Sequence, residues 1–133
     1  MPDTEADSRS MSQPARRRVL VVEDELFIAM LLEELLTEAG WDVVGPIPRL
    51  DLALQAARTV DVDAALLDVN LRGEFVFPAA HALLARGIPI VFCSGYTNLS
   101  MIPAEFRALP QVTKPYDVLT LLSALALAAP VAR

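Results

Sequence analysis

A doubly wound α/β fold, with a five-stranded parallel sheet covered by helices on both faces, is predicted by three features of the 133-residue sequence. Short, wholly apolar runs alternate with longer stretches of helical composition, which is the pattern of βαβ units. Those runs lack the polar–apolar alternation of half-exposed strands, so each is expected to be buried on both faces. The polar residues with the most chemical potential, Glu23-Asp24, Asp68, Ser94 and Lys114, each follow one of the apolar runs. In an open parallel sheet, the carboxyl ends of the strands are where ligands bind.

The elements follow in order. Residues 1–16 are polar, rich in Ser, Asp and Pro, and are expected to form a disordered tail, with Met11 as an alternative start. Val19 to Val22 is the first strand. Leu26 to Ala39, with Glu33, Glu34 and Glu38 among its apolar residues and Gly40 as a stop, is a helix. Trp41 to Val44 is a second strand closed by Gly45-Pro46, and Leu50 to Val60 a second helix. Ala64 to Leu67 is the third strand, ending at Asp68. Gly73 marks a loop, and a helix begins near Pro78, a residue suited to the first turn, and ends at Arg86-Gly87. Ile88 to Cys93 is the fourth strand, ending at Ser94-Gly95. Pro103 permits only a short fourth helix, to Leu109, before Pro110. Gln111 to Thr113 is the fifth strand. Tyr116 to Ala128 is the last helix, with Asp117 in its first turn. The domain is expected to span 17–128, leaving 129–133 as a C-terminal tail.

Composition narrows the function. A 54% hydrophobic chain of this length buries one core without metal or disulfide staples. A net charge of −6 offers no basic face for a phosphate backbone, so nucleic-acid binding is not expected. Arg16-Arg17-Arg18 is expected to be a solvated lead-in to the first strand. Cys93 is the only cysteine and lies in an apolar run, which fits a reducing, cytoplasmic setting. No signal peptide is visible, and the apolar stretch from Val118 to Val131 is too short and interrupted to span a bilayer. With five glycines, none in the turn after the first strand, a dinucleotide or P-loop site is excluded.

The strand ends carry the chemistry. Carboxylates gathered at one place repel each other and need a cation or a proton among them. Hard oxygen ligands with no His or Cys nearby favour Mg²⁺. Glu23-Asp24-Glu25 has a plainer alternative, an acidic helix start favoured by the dipole, which suits Glu25 better than its neighbours. Asp68 resists such an account, because it ends an apolar strand where an uncompensated carboxylate is costly. Lys114 is the only lysine among eleven basic residues. An ammonium about 4 Å from a carboxylate gains roughly 4 kcal/mol at an effective dielectric near 20, before desolvation is counted. A carboxylate nucleophile, a divalent cation, this ammonium and the Ser94 hydroxyl together suffice to accept a phosphoryl group.

Val21-Val22-Glu23-Asp24-Glu25, Leu66-Leu67-Asp68-Val69-Asn70, Ser94-Gly95-Tyr96 and Thr113-Lys114-Pro115-Tyr116 resemble, in order and spacing, the receiver domain of bacterial two-component response regulators. The resemblance runs from about Arg17 to Ala128. It implies the CheY-like strand order 2-1-3-4-5 and a single-domain receiver. Asp68 would be the phosphoacceptor, and Asp24, Asp68 and the backbone carbonyl of Asn70 would bind Mg²⁺, with Glu23 acting through a metal-bound water. Lys114 would bridge to the phosphoryl group and Ser94 would be the switch hydroxyl. The donor would be a sensor histidine kinase. Output would be a downstream protein or a histidine phosphotransfer protein, from a monomer or weak homodimer with no turnover activity of its own. The chain departs from the family at Gln111, where an aromatic switch residue usually stands. Tyr96 is divided between a switch role and loop packing. Phe92-Cys93-Ser94-Gly95-Tyr96 is similar to a Phe-x-Thr-Gly-Tyr subgroup.

Two other functions compete. One is a small Mg²⁺-dependent phosphatase of the haloacid dehalogenase type, although that class carries Asp-x-Asp after its first strand and this chain has Glu23-Asp24-Glu25. The other is a receiver-like scaffold that is never phosphorylated. Cys93 lacks the base and electropositive setting of a catalytic thiolate, and His81 is expected to be a partly exposed helix residue.

Overall fold

The structure is a computed structural model and describes residues 16–95, 101–114 and 117–129. Its elements are β1 (Arg18–Val22), α1 (Leu26–Glu38), β2 (Asp42–Ile47), α2 (Leu50–Thr59), β3 (Ala64–Asp68), β4 (Asn70–Leu71), β5 (Glu74–Phe75), α3 (Phe77–Ala85), β6 (Ile90–Ser94), a 3-10 helix (Ala104–Phe106), β7 (Gln111–Thr113) and α4 (Val118–Ala128). The main sheet is parallel, in the order β2-β1-β3-β6-β7, which is the expected 2-1-3-4-5 once the short β4–β5 hairpin is set aside.

The strands alternate between two cores, as a sheet covered on both sides requires. Val19, Val21, Ala64, Leu66, Val91 and Cys93 face one layer, where Leu32 and Leu36 of α1 and Leu121 and Leu125 of α4 meet them. Leu20, Val22, Ala65, Leu67, Ile90 and Phe92 face the other, against alanines of α2 and Ala79, Ala80 and Leu83 of α3. On α1 the buried Ala29, Leu32 and Leu36 recur at helical spacing, so one stripe of the helix docks and the rest faces water.

Four departures from the expected elements bear on the site. First, β2 does not stop before Gly45-Pro46 but runs through it to Ile47. Gly45 makes this possible: its φ is +107°, and a Cβ there would lie 2.7 Å from the Val21 carbonyl oxygen. The pairing shifts from Leu20↔Val44 to Val22↔Ile47, and the Ile47 carbonyl then accepts the Glu23 N–H at 3.0 Å. Pro46, lacking an N–H, is tolerated because β2 is an edge strand.

Second, the segment around Gly73 is a β-hairpin and not a plain loop. Leu71 pairs with Glu74 across Arg72-Gly73, whose φ values of 54° and 93° are both positive, as a type I′ turn requires. Third, where a short fourth helix to Leu109 was expected, the described residues hold a 3-10 turn at Ala104–Phe106, bracketed by Pro103 and Pro110. Among the described residues, four α-helices therefore stand where five were expected. Fourth, α4 begins at Val118, with Asp117 as its N-cap residue and not within the first turn. Its carboxylate accepts the Thr120 hydroxyl at 2.7 Å.

The arginine run is tied down, in contrast to a solvated lead-in. Arg17 lies over the Trp41 ring, 4.3 Å from its centroid, and donates to the Ala129 carbonyl. Arg16 pairs with Asp42 at 2.7 Å and donates to the Trp41 carbonyl at 3.0 Å.

Candidate functional site

Parallel pairing brings the chemical residues to one edge of the sheet. Val22 is level with Leu67, Asp68 with Cys93, and Ser94 with Thr113, so Glu23, Asp68, Ser94 and Lys114 emerge together. The Lys114 N–H donates to the Ser94 carbonyl at 2.7 Å, which continues the β6–β7 ladder past the last strand residue. The chain leaves β1 toward β2 on one side and returns as β3 on the other. The crevice that such a reversal opens is where a doubly wound sheet binds its ligand.

Glu23 and Asp68 are the buried charged residues among those described, 2% and 5% exposed. Lys114 Nζ lies 2.9 Å from Glu23 Oε1 and 3.1 Å from Asp68 Oδ2, so one ammonium serves both. Asp68 Oδ1 accepts the Asn70 N–H at 3.3 Å, and Glu23 Oε2 accepts the Glu25 N–H at 3.1 Å. Asp24 completes the set: one carboxylate oxygen each from Glu23, Asp24 and Asp68 lie within 4.8 Å of one another. Three hard oxygen donors with no sulfur or imidazole among them fit a Mg²⁺-sized cation, which keeps several waters and needs few protein ligands.

The electrostatics follow from burial. Desolvation, then the charge of Glu23, push Asp68 up to about 7 against the opposing pull of Lys114. Burial also works against the Lys114 ammonium, but the Glu23 hydrogen bond and the charges of Asp68 and Glu23 outweigh it and hold its pKa above the ordinary lysine value. The trio thus has more negative charge than one lysine can balance.

Beside Asp68 opens a cleft of about 240 Å³ lined by Asn70, Phe75, half-buried Ser94, Gly95 and Met101. The structure therefore gathers Glu23, Asp24, Asp68, Asn70, Ser94 and Lys114. Tyr96 lies outside the described residues, as does Tyr116. Cys93 is buried beneath the edge. His81 is exposed on α3 and pairs with Glu105 at 3.3 Å. One site neighbour was not legible from sequence: Arg72, at the hairpin tip, places Nε 3.3 Å from Asp24 Oδ2. Its position four residues after Asp68, in a turn, was the only available signal.

The family described as "Response regulator receiver domain" matches residues 19–126. The chain belongs to that family. The receiver is 29% identical over 130 residues to the transcriptional regulatory protein PdtaR of Mycobacterium tuberculosis, covering 96% of this chain and 61% of that protein. It therefore spans about three-fifths of the length of that curated relative. Among solved structures it is similar to SdrG from Sphingomonas melonis, with 40% identity and a TM-score of 0.73 over 84% of this chain and 94% of that one. The response regulator PhyR from Brucella abortus matches at 26% identity and a TM-score of 0.72, over 94% of this chain and 52% of that one. These matches support a receiver over the phosphatase alternative. Receiver domains bind Mg²⁺ at an acidic pocket, and this receiver has the acidic cluster. Among the described residues, no helix is long and apolar enough to cross a membrane.

Proposed function

We propose that this receiver accepts a phosphoryl group on Asp68 from a phosphohistidine of a sensor kinase, and that the modified form changes its affinity for a protein partner or passes the group to another histidine. The observation that carries this is the Lys114 ammonium, held between Glu23 and Asp68 at 2.9 and 3.1 Å at the sheet edge.

A carboxylate oxygen of Asp68 attacks phosphorus, the new O–P bond forms, and the N–P bond to the donor imidazole breaks with its electron pair returning to nitrogen. Glu23, Asp24 and Asp68 would hold Mg²⁺, which supplies neutralisation of the phosphoryl oxygens when bound. Lys114 orients Asp68 before attack and remains beside the acyl phosphate to share the added charge. Ser94 lines the adjoining cleft, which supports a role for its hydroxyl in bonding a phosphoryl oxygen. No step regenerates Asp68 by turnover of a small substrate, consistent with a family that is generally not one of turnover enzymes.

Incubation with acetyl phosphate and Mg²⁺, followed by intact mass, tests the proposal. A single phosphoryl adduct is expected on the wild type and not on Asp68→Asn. Multiple-turnover hydrolysis of small phosphomonoesters instead would identify a phosphatase. Absence of an adduct even with a competent kinase would leave the scaffold function.

A further inference from the structure

Among the described residues, two cations pair with the three carboxylates, and they are held very differently. Lys114 is 15% exposed and bridges Glu23 and Asp68, but does not reach Asp24 within ion-pair distance. Asp24 is partnered by Arg72, through Nε to Oδ2 at 3.3 Å and through Nη2 to the Asp24 carbonyl at 3.4 Å. Arg72 is 79% exposed and stands on the tip of a two-residue turn. The labile cation is therefore the one on Asp24.

Its backbone strengthens the case that this contact matters. Arg72 has a φ of 54°, the left-handed region that a branched or long L-residue occupies at a cost and that Asn or Gly occupies easily. At the first central position of a type I′ turn, Asn is the favoured residue. The hairpin is otherwise well made, with Gly73 at the second position and its N–H donating to Asn70 Oδ1 at 2.6 Å. An arginine here does nothing for the turn, while its guanidinium reaches back across 48 residues of sequence to the acidic edge.

Taking Asp24 as a Mg²⁺ ligand, as in the proposed function, we infer that Arg72 is a resident counter-ion that competes with the divalent cation at Asp24 and raises the Mg²⁺ concentration at which the site fills. The competition does not require the two cations to share an oxygen. Arg72 neutralises part of the charge that draws the metal, whichever carboxylate oxygen the metal takes. Because the pair is exposed, the effect is modest and is screened by salt.

Calorimetric titration of Mg²⁺ into the wild type, Arg72→Gln, Arg72→Asn and Arg72→Lys tests this with no reaction needed. At low ionic strength the Gln and Asn variants are expected to bind Mg²⁺ about two- to five-fold more tightly, and Lys to stay near wild type. The gain is expected to shrink in added NaCl. Asn suits the turn, so at least one neutral variant keeps the fold. If the wild type binds Mg²⁺ and the neutral variants bind it equally or more weakly, Arg72 is no competitor, while the proposed Mg²⁺ site stands. If neither wild type nor variants bind Mg²⁺, the metal assignment itself fails and the inference falls with it.

Discussion

Phe77 and Phe106 lie face to face, with ring centroids 5.6 Å apart and planes 14° from parallel. Phe77 opens α3 just beyond the hairpin that follows Asp68, and Phe106 belongs to the 3-10 turn before β7. Phe75 stacks on Phe77 from the hairpin side at 5.8 Å, and Phe92 meets both Phe77 and Phe106 edge-on. Where only a short helix was expected, aromatic packing does the anchoring.

Phe106 is fully buried, so truncation leaves a cavity at the only place where the 3-10 turn reaches deep into the core. Phe106→Ala is expected to lower stability by about 3 to 5 kcal/mol, as read by urea denaturation. Phe106→Leu should cost less, because it keeps most of the volume. A loss below about 1 kcal/mol for the alanine variant would mean that the stack does not hold this segment.

The buried Asp68 predicts a pH dependence of definite sign. Its pKa rises from 3.8 to about 7 on folding, so the folded chain binds the proton more tightly than the unfolded one. The stabilisation is fully present below pH 3.8 and is lost as pH rises through about 7. Without divalent cations, the wild type is expected to lose stability relative to Asp68→Asn across that window. Because the charge of Glu23 is part of the cause, Glu23→Gln should move the Asp68 titration downward. Parallel stability curves for wild type and Asp68→Asn from pH 4 to 8 would contradict this.

Gly45 is predicted to be intolerant of any side chain. A Cβ would meet backbone on two sides, 2.7 Å from the Val21 oxygen and 2.9 Å from the Ile47 nitrogen, at a φ of +107°. Gly45→Ala is expected to cost at least about 1 to 3 kcal/mol from backbone strain alone. It should also weaken Mg²⁺ binding, because Ile47 fixes the Glu23 backbone. Thermal melting and calorimetry read the two effects separately. An alanine variant with unchanged melting would show that β2 can re-route.

Much of the fold and site was legible because both report on burial. Strands covered on both faces read as unbroken apolar runs, so Asp68 and Lys114 stood out as charges placed where such runs stop. The misses share a different cause. Gly45-Pro46 is a local stop signal, yet pairing with β1 carries β2 through it. The hairpin strands are two residues each, too short to show a period. Arg72 and Asp24 meet only through tertiary placement, and the stacking of Phe75, Phe77 and Phe106 likewise leaves no trace in local pattern. The last helix starts two residues later than expected, at Val118 and not Tyr116, because an acid such as Asp117 suits both an N-cap and a first turn.

The margins of the sheet have a consequence for the protein's behaviour in a crowded solution. One border strand, β2, carries a proline with no N–H to offer, and the other, β7, is only three residues long. Neither presents a row of free amides long enough to template a strand from a neighbouring molecule. Self-association by sheet extension is thereby discouraged at both ends.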